Sequence, residues 1–238
     1  MGEDLFGKAL MDFYKGRRGV LKMERDDGYI DEQDLAFYFE NFDNFPDVER
    51  KALKHATGRV LDIGVGAGRV ALFLQNKGHD VVGIDVSGNA LRLCRLRGVK
   101  NVVNMSACDL KFDDGSFDTA IAFFNNFGLC GNMERVQEML ERLHDIVNDD
   151  GVFLAESIHP TNTKKRVHLR YHKMNIARGR PPGQVTLRTV YRGKTGNWWN
   201  LLMVTPEEMR TLCSDSGWRI ERTYRDPTYC CAYVLRKA

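Results

Sequence analysis

Three glycines alternate at Gly64, Gly66 and Gly68, directly after an apolar run and close behind Asp62. Glycine has no Cβ and adopts left-handed conformations without strain, so such a turn lets backbone approach a ligand closely. A dinucleotide-binding turn reads G-x-G-x-x-G, and counting from Gly64 puts Arg69 where a small third residue is needed. The spacing therefore disfavours an NAD-dependent oxidoreductase and favours a different nucleotide.

Two more carboxylates follow apolar runs beyond the turn. Asp85 ends the run "VVGID", 17 residues past Gly68, and Asp109 ends the run "KNVVNMSACD". A carboxylate in the first position can accept both ribose hydroxyls of a nucleoside, and one in the second can meet an adenine amino group. Three acids near one another repel phosphates. The pattern therefore indicates a ligand with an adenosine, an amino acid and a positive charge.

Strand and helix patterns alternate from residue 58 to residue 158. Short apolar runs that end at turns are typical of buried parallel strands, and the segments between them repeat apolar residues every three or four positions. Units of this length predict an α/β fold with a doubly wound, mostly parallel sheet. After a helix beginning near Thr205-Pro206, the runs "WRIERTYR" and "TYCCAYVLRK" predict an antiparallel last strand and seven strands in total.

We expect a single domain with four parts. They are an N-terminal helical segment (1–56), a ligand-binding core (57–158), a basic cap insertion (159–204) and a closing helix with an antiparallel strand pair (205–238). Within the insertion, two alternating runs around "GKTGN" predict a hairpin.

Composition is that of an ordinary globular enzyme, with 43% apolar and 28% charged residues. No stretch approaches the roughly 18–20 apolar residues of a membrane helix, and the charged N-terminus has no apolar signal core. Six cysteines form no C-x-x-C pair, so we expect buried free thiols and find little support for a zinc site. These features predict a cytoplasmic protein without a membrane partner or a metal.

Charge is distributed unevenly along the chain. No Asp or Glu occurs from Ser157 to Pro206, and this stretch carries +10 although the whole chain carries only +3. Such asymmetry indicates a basic face on a mildly acidic body. The ten cations are Lys164, Lys165, Arg166, Arg170, Lys173, Arg178, Arg180, Arg188, Arg192 and Lys194.

The motifs "VLDIGVGAGR", "VVGIDVS" and "SACDLKFDDGSFDTAIA" resemble those of class I S-adenosylmethionine-dependent methyltransferases, from about Gly58 to Ile158 and over the closing strand pair. "DDGSFD" before the fourth strand is similar to the small-molecule branch. The resemblance implies S-adenosylmethionine as cofactor. The resemblance implies that the glycines and Asp62 hold the methionine part of the cofactor and that Asp85 holds the ribose. It also places Val86, Asp109 and Leu110 at the adenine, and Phe124 and Asn125 at the methyl end.

The sequence indicates the methyl acceptor less directly than it indicates the cofactor. "FFNNFG" after the fourth strand lacks the N-P-P-[YF]-like turn of enzymes that methylate base amines, and Cys130 lacks the neighbouring proline of pyrimidine C5 methyltransferases. The basic insertion disfavours the cationic polyamine of aminopropyl transfer and favours a small anionic or polar metabolite. RNA modification with the same cofactor and a non-catalytic adenosylmethionine-binding module remain alternatives.

Four side chains are candidates for work at the acceptor. His159 follows the fifth strand and could take a proton from a hydroxyl or acid, although a solvated loop histidine is the simpler interpretation. Tyr191, Trp198 and Trp199 lie in the predicted hairpin and could pack on an acceptor or surround the sulfonium. Adjacent strand residues face opposite ways, so we expect at most one of the two tryptophans to enter the site.

Overall fold

The computed structural model describes residues 2–227 and 230–238. Its regular elements, in chain order, are α1 (Leu5–Tyr14), β1 (Leu21–Arg25), β2 (Ile30–Gln33), α2 (Asp47–Ala52), β3 (Arg59–Ile63), α3 (Arg69–Asn76), β4 (Asp80–Asp85), α4 (Gly88–Arg97), β5 (Asn101–Asn104), β6 (Phe117–Ala122), α5 (Met133–Ile146), β7 (Val147–Ile158), α6 (Arg166–Ala177), β8 (Gln184–Tyr191), β9 (Lys194–Leu202), α7 (Pro206–Asp215), β10 (Trp218–Arg225) and β11 (Cys230–Lys237). Short 3₁₀ helices lie at Leu35–Phe39, Phe42–Asn44, Leu53–His55 and Asn126–Gly128.

The main sheet has seven strands in the order β10-β11-β7-β6-β3-β4-β5. Strands β3 to β7 are parallel, and β11 runs antiparallel to both β7 and β10. The predicted fold class is therefore confirmed. The chain leaves β3 toward β4 and β5 on one side and later adds β6 and β7 on the other. This switch point places the ends of β3 and β6 side by side, where open α/β sheets bind ligands.

Helices cover both faces of the main sheet, as its continuous apolar strands require. On one face α5 and α7 bury Leu140 and Met209, and the Trp218 indole donates a hydrogen bond to the Leu140 carbonyl at 2.9 Å. On the other face α2, α3 and α4 bury residues such as Val48 and Leu74. The helical patterns of α3, α4, α5 and α7 were visible in the sequence.

A second sheet, which we call the cap sheet, has four strands in the order β2-β1-β8-β9. It joins the N-terminal segment to the insertion, because β1 pairs with β8 from Leu21 opposite Tyr191 to Arg25 opposite Leu187. The prediction of an entirely helical segment 1–56 is therefore wrong. Strand β1 is short and mostly half-exposed, and its partner β8 lies more than 150 residues away, so local periodicity gave no strand signal.

Arg25 links the hairpin formed by β1 and β2 to the insertion. Its guanidinium donates to both carboxylate oxygens of Asp27 at 2.8 and 2.9 Å, lies 3.1 Å from Nδ1 of His168, and stacks 4.1 Å from the centre of the Tyr171 ring. Arg25 is 5% exposed, and both His168 and Tyr171 belong to α6. The cap is thus one unit built from two distant parts of the chain.

Other boundaries differ from the predictions. Strand β5 ends at Asn104, so Asp109 stands in the turn after it rather than at the strand end. The predicted hairpin turns at Arg192 and Gly193, just ahead of most of "GKTGN". Of the last predicted strand, Thr228 and Tyr229 lie outside the described residues.

The cysteine prediction is wrong for one pair. Cys108 and Cys130 form a disulfide, with Cα atoms 5.4 Å apart, between the turn after β5 and the loop after β6. Proximity across neighbouring loops, which sequence spacing does not reveal, brings them together. The other four, Cys94, Cys213, Cys230 and Cys231, are buried and free. No helix within residues 2–227 and 230–238 has the length and apolar character needed to cross a membrane.

Candidate active site

The glycine turn, residues Gly64–Gly68, lies at the carboxyl end of β3. Gly64 and Gly66 have φ values of +71° and +54°, which side chains rarely adopt. A Cβ on Gly64 would collide with the side-chain amide of Asn126, which donates hydrogen bonds to the carbonyls of Ile63 and Gly64. Gly64 is therefore needed for packing, whereas the nearest side chain to an added Cβ on Gly66 is the Tyr38 ring, at an ordinary contact distance of 3.7 Å.

Asp62 lies beneath this turn. It is 5% exposed. Burial raises the pKa of Asp62 to about 7 despite the nearby Arg69. The expected contact of its carboxyl group with a ligand amino group stays a prediction. Gly68, the third glycine, is packed against Val99.

Asp85, at the end of β4, faces the turn. Its Oδ2 accepts the Gly66 N–H at 3.0 Å and its Oδ1 accepts the Ser87 N–H at 2.8 Å. Burial raises its pKa above the ordinary value, and the two backbone hydrogen bonds oppose that rise. Each carboxylate oxygen keeps a second lone pair, so the fixed group fits a pair of vicinal hydroxyls.

The residues predicted to surround a base differ in exposure. Val86, next to Asp85, is 71% exposed and offers an apolar face, whereas Leu110 is buried. Asp109 is exposed, and its carboxylate pairs with Lys111 at 2.8 Å. Val86 is therefore accessible for stacking on a base, whereas the carboxylate of Asp109 already forms an ion pair with Lys111. The roles of these three residues stay predictions.

The turn after β6, residues Phe124–Asn126, stands beside the glycine turn. Asn126 ties the two turns together through the hydrogen bonds described above, both 2.9 Å long. Phe124 and Asn125 have positive φ values of 56° and 62°. We call this segment the donor turn, because sequence resemblance assigns Phe124 and Asn125 to the methyl end of the ligand.

Aromatic rings from the N-terminal segment, which we call the aromatic cover, lie over both turns and were not identified from the sequence. Phe37 stacks on Phe124 with ring centroids 4.6 Å apart, and Tyr38 meets Phe124 edge-on at 5.4 Å and lies over Gly66. Both belong to the 3₁₀ helix Leu35–Phe39. Helices this short have no periodicity to detect, and the string "LAFYF" was the only signal.

Comparison with known proteins agrees with this geometry. Residues 60–151 match the family described as Methyltransferase domain. A methyltransferase of Bacteroides fragilis, solved in complex with S-adenosyl-L-homocysteine, has 26% identity and a TM-score of 0.84, and the match covers 99% of this chain and 95% of that one. Residues 60–151 thus match a methyltransferase domain, and the whole chain is similar in fold to a methyltransferase that binds S-adenosyl-L-homocysteine.

Curated relatives match part of the chain. An uncharacterised protein of Methanocaldococcus jannaschii is 36% identical over 95 residues, which are 40% of this chain and 35% of that protein. A putative methyltransferase of a Geobacillus species is 25% identical over 107 residues, 43% of each chain. The chain thus spans less than half the length of these two relatives.

The position that disfavoured a dinucleotide site has a structural role in this protein. Arg69 donates two hydrogen bonds to the carboxylate of Glu49, at 2.7 and 2.5 Å, and Glu49 is fully buried in α2. The guanidinium lies 4.3 Å from the ring centre of Phe37 and 4.4 Å from that of Phe45. Arg69 therefore attaches the aromatic cover to the helix that follows the glycine turn.

The acceptor candidates are dispersed. His159 directly follows Ile158, whose N–H donates to Oδ1 of Asn125, and so adjoins the donor turn. Tyr191 is buried against α1, and its hydroxyl donates to Asp12, so it packs in the core. Trp198 is exposed under the Arg188 guanidinium and Trp199 is half-buried, as the alternation predicts.

The assignment of the ligand to the backbone at Gly66 can be tested with a matched pair of glycines. Gly66→Ala and Gly78→Ala both place a Cβ on a residue with positive φ, and each should lower the free energy of unfolding by about 1–2 kcal/mol. Gly78 has no atom within 4 Å of an added Cβ. Only Gly66→Ala should weaken S-adenosylhomocysteine binding in calorimetry, by about tenfold or more. Equal affinities of the two variants would contradict this assignment.

Proposed function

We propose that this methyltransferase transfers the methyl group of S-adenosylmethionine to a small polar or anionic metabolite. One arrangement carries the proposal: the backbone of the glycine turn at Gly66, the fixed carboxylate of Asp85 beside it, and the aromatic cover over both. The S-adenosylhomocysteine bound to the Bacteroides relative supports the cofactor. The cytoplasmic location predicted from the sequence stays a prediction.

In this proposal each group at the sheet edge has one task. Asp85 accepts the ribose hydroxyls with its free lone pairs, and Val86 stacks on the adenine. Asp109 and Leu110 approach the adenine edge, which requires Asp109 to release Lys111. Gly66 lets the methionine part lie against the backbone, and Asp62 contacts its amino group.

The aromatic cover matches the charge of the cofactor. S-adenosylmethionine supplies an electrophilic methyl group on a positive sulfonium. The rings of Tyr38 and Phe124 lie at the donor turn, and ring faces attract cations by about 0.5–2 kcal/mol each. The same rings exclude water from the methyl group, so that the acceptor receives the methyl group in place of water.

Asp85 tests the cofactor assignment. Asp85→Ala removes the acceptor of the ribose hydroxyls and should weaken S-adenosylmethionine binding by roughly 10- to 100-fold in calorimetry. Asp109→Ala is the matched control, because its exposed, lysine-paired carboxylate should contribute less. NAD should not bind the wild-type protein. Unchanged affinity in a folded Asp85→Ala protein would contradict the assignment.

The acceptor class rests on the cations of the insertion, of which fewer are available than the sequence suggests. Arg188, Arg192 and Lys194 pair with carboxylates of the N-terminal segment. The other seven have no carboxylate within 4 Å among the described residues. They lie on α6 and in the segments flanking it, after the strand that ends beside the donor turn: Lys164, Lys165, Arg166, Arg170, Lys173, Arg178 and Arg180. This cluster favours a negative acceptor.

Two pairs of exposed lysines separate the effect of this cluster from that of net charge. Lys164 and Lys165 precede α6, whereas Lys77 and Lys100 precede β4 and β5 at the opposite edge of the main sheet. Changing the first pair to Ala should weaken acceptor binding at low salt, with S-adenosylmethionine affinity unchanged, and the second pair should change neither.

Salt dependence distinguishes the acceptor classes in the same experiment. The loss in the Lys164 and Lys165 variant should shrink near 1 M salt, where the Debye length falls to about 3 Å. A metabolite should give a shallow dependence of log affinity on log salt, and RNA, the second candidate, a steep one. If both lysine pairs behave alike, the cluster is only a solvated surface.

His159 is the proposed general base where the acceptor carries a proton. Its support is its position, directly after the strand end that hydrogen-bonds to Asn125, and its neighbour Thr161, whose hydroxyl lies 3.4 Å from Nδ1. A base is needed only for acceptors of high pKa, because alignment alone suffices for a nucleophile that is already unprotonated.

The test of His159 separates binding from turnover. His159→Ala should lower the turnover number by about 10²-fold or more and leave S-adenosylmethionine affinity nearly unchanged. Thr161→Ala, which removes only the neighbouring hydroxyl, should retain most of the turnover. Wild-type turnover in His159→Ala would show that this histidine is a loop residue and not a general base.

A further inference from the structure

The donor turn contains two consecutive non-glycine residues in the left-handed region. Phe124 and Asn125 have φ values of 56° and 62°, and only Arg192 shares this region among the other described non-glycine residues. The left-handed conformation costs roughly 1–2 kcal/mol per residue, so surrounding contacts must hold it. Those contacts identify what fixes the turn.

Strand β7 holds the donor turn through two hydrogen bonds. Oε2 of Glu156 accepts the N–H of Phe124 at 3.0 Å, and the N–H of Ile158 donates to Oδ1 of Asn125 at 2.7 Å. The second bond uses backbone that any residue at position 158 would supply, proline excepted. The first depends on the side chain at position 156.

A carboxyl group at position 156 is costly, because it is only 4% exposed and lies in the core of the protein. Its other oxygen, Oε1, accepts the thiol of Cys230 from β11 at 2.7 Å. A hydrogen bond also links it to Glu49, the partner of Arg69. Glu156 thus connects the donor turn to the ion pair that attaches the aromatic cover.

We propose that Glu156 is a positioning residue of methyl transfer, whose carboxyl group holds Phe124 and Asn125 in the left-handed conformation that places them beside the methyl donor. The inference rests on the proposed function, because the donor turn matters only if the cofactor binds there. The proton shared with Glu49 lets two buried acids coexist, and it leaves Oε2 free to accept the Phe124 N–H.

Protonation of Glu156 has a measurable consequence for stability. Burial, and then the negative charge of Glu49, raise the pKa of Glu156 to about 8. The titratable groups that face it are Glu49 from α2, which is itself paired with Arg69, and Cys230 from β11. Because the folded protein keeps this proton after the unfolded chain has lost it, the free energy of unfolding should fall from about pH 4.5 to about pH 8 and level off above.

Three variants test the proposal. Glu156→Gln keeps an oxygen for the Phe124 N–H and replaces the shared proton with an amide donor to Glu49. Glu156→Met keeps the volume but leaves the Phe124 N–H without an acceptor. Ser157→Ala is the matched control on the same strand, because the Ser157 hydroxyl accepts the Val204 N–H at 2.9 Å and does not touch the donor turn.

Calorimetry with S-adenosylhomocysteine and thermal unfolding between pH 5 and pH 9 provide the measurements. Glu156→Met should weaken binding by about tenfold or more, whereas Glu156→Gln and Ser157→Ala should bind within about threefold of wild type. Glu156→Gln should also lose the Glu156 part of the fall in stability with pH, since its amide does not titrate. The part due to buried Asp62 remains in every variant and serves as an internal reference.

Two results would overturn the inference. Wild-type affinity in Glu156→Met would show that the turn needs no acceptor at this position. Affinity in Glu156→Gln as weak as in Glu156→Met would show that an acceptor oxygen for the Phe124 N–H does not explain the role. In both cases the wild-type protein binds the ligand, so the proposed function stands. Absence of wild-type binding would instead overturn the proposed function together with the inference.

Discussion

The buried ion pair between Arg69 and Glu49 is the interaction on which the rest of the site depends. Its two side chains are 8% and 0% exposed, and losing one partner of such a pair costs about 3–5 kcal/mol because an unpaired charge stays buried. Arg69 opens the helix after the glycine turn, and Glu49 belongs to the N-terminal segment. The pair therefore fixes the aromatic cover relative to the turn, and the rings of Phe37 and Phe45 exclude water from it.

This constraint explains how a pocket can form from a sheet edge that is otherwise open. The ends of β3, β4 and β6 supply the glycine turn, Asp85 and the donor turn, but nothing in these strands closes the space above them. Tyr38 can close it because Gly66 carries no side chain, and Phe37 can because Phe124 turns its ring outward, at 37% exposure. The left-handed backbone of Phe124 is thus part of the closure, and Glu156 connects that backbone to the same ion pair.

The core and its ligand edge could be predicted from the sequence, because their signals are local. Apolar runs, helix periodicity and the glycine spacing each lie within a few residues, and the order of the motifs carries the family resemblance. The cap sheet could not be predicted, because β1 pairs with β8, which lies more than 150 residues away in the sequence. Phe37, Tyr38 and Glu156 escaped notice for a related reason: their roles arise from contacts with Phe124, which is distant in sequence, and no spacing rule describes them.

The charge pattern shows how a sequence feature changes its meaning in the folded chain. The acid-free insertion suggests a strongly basic face, yet its cap-sheet strands pair with acids of the N-terminal segment: Arg188 in β8 with Glu24, and Lys194 in β9 with Glu3. The pair of Arg188 and Glu24, which lie opposite each other on β8 and β1, helps to fix which strands meet, since like charges opposite one another would be unfavourable. Part of the asymmetry therefore serves assembly of the cap. What remains positive is concentrated on α6 and beside it, where it is free to act on a ligand rather than on the fold.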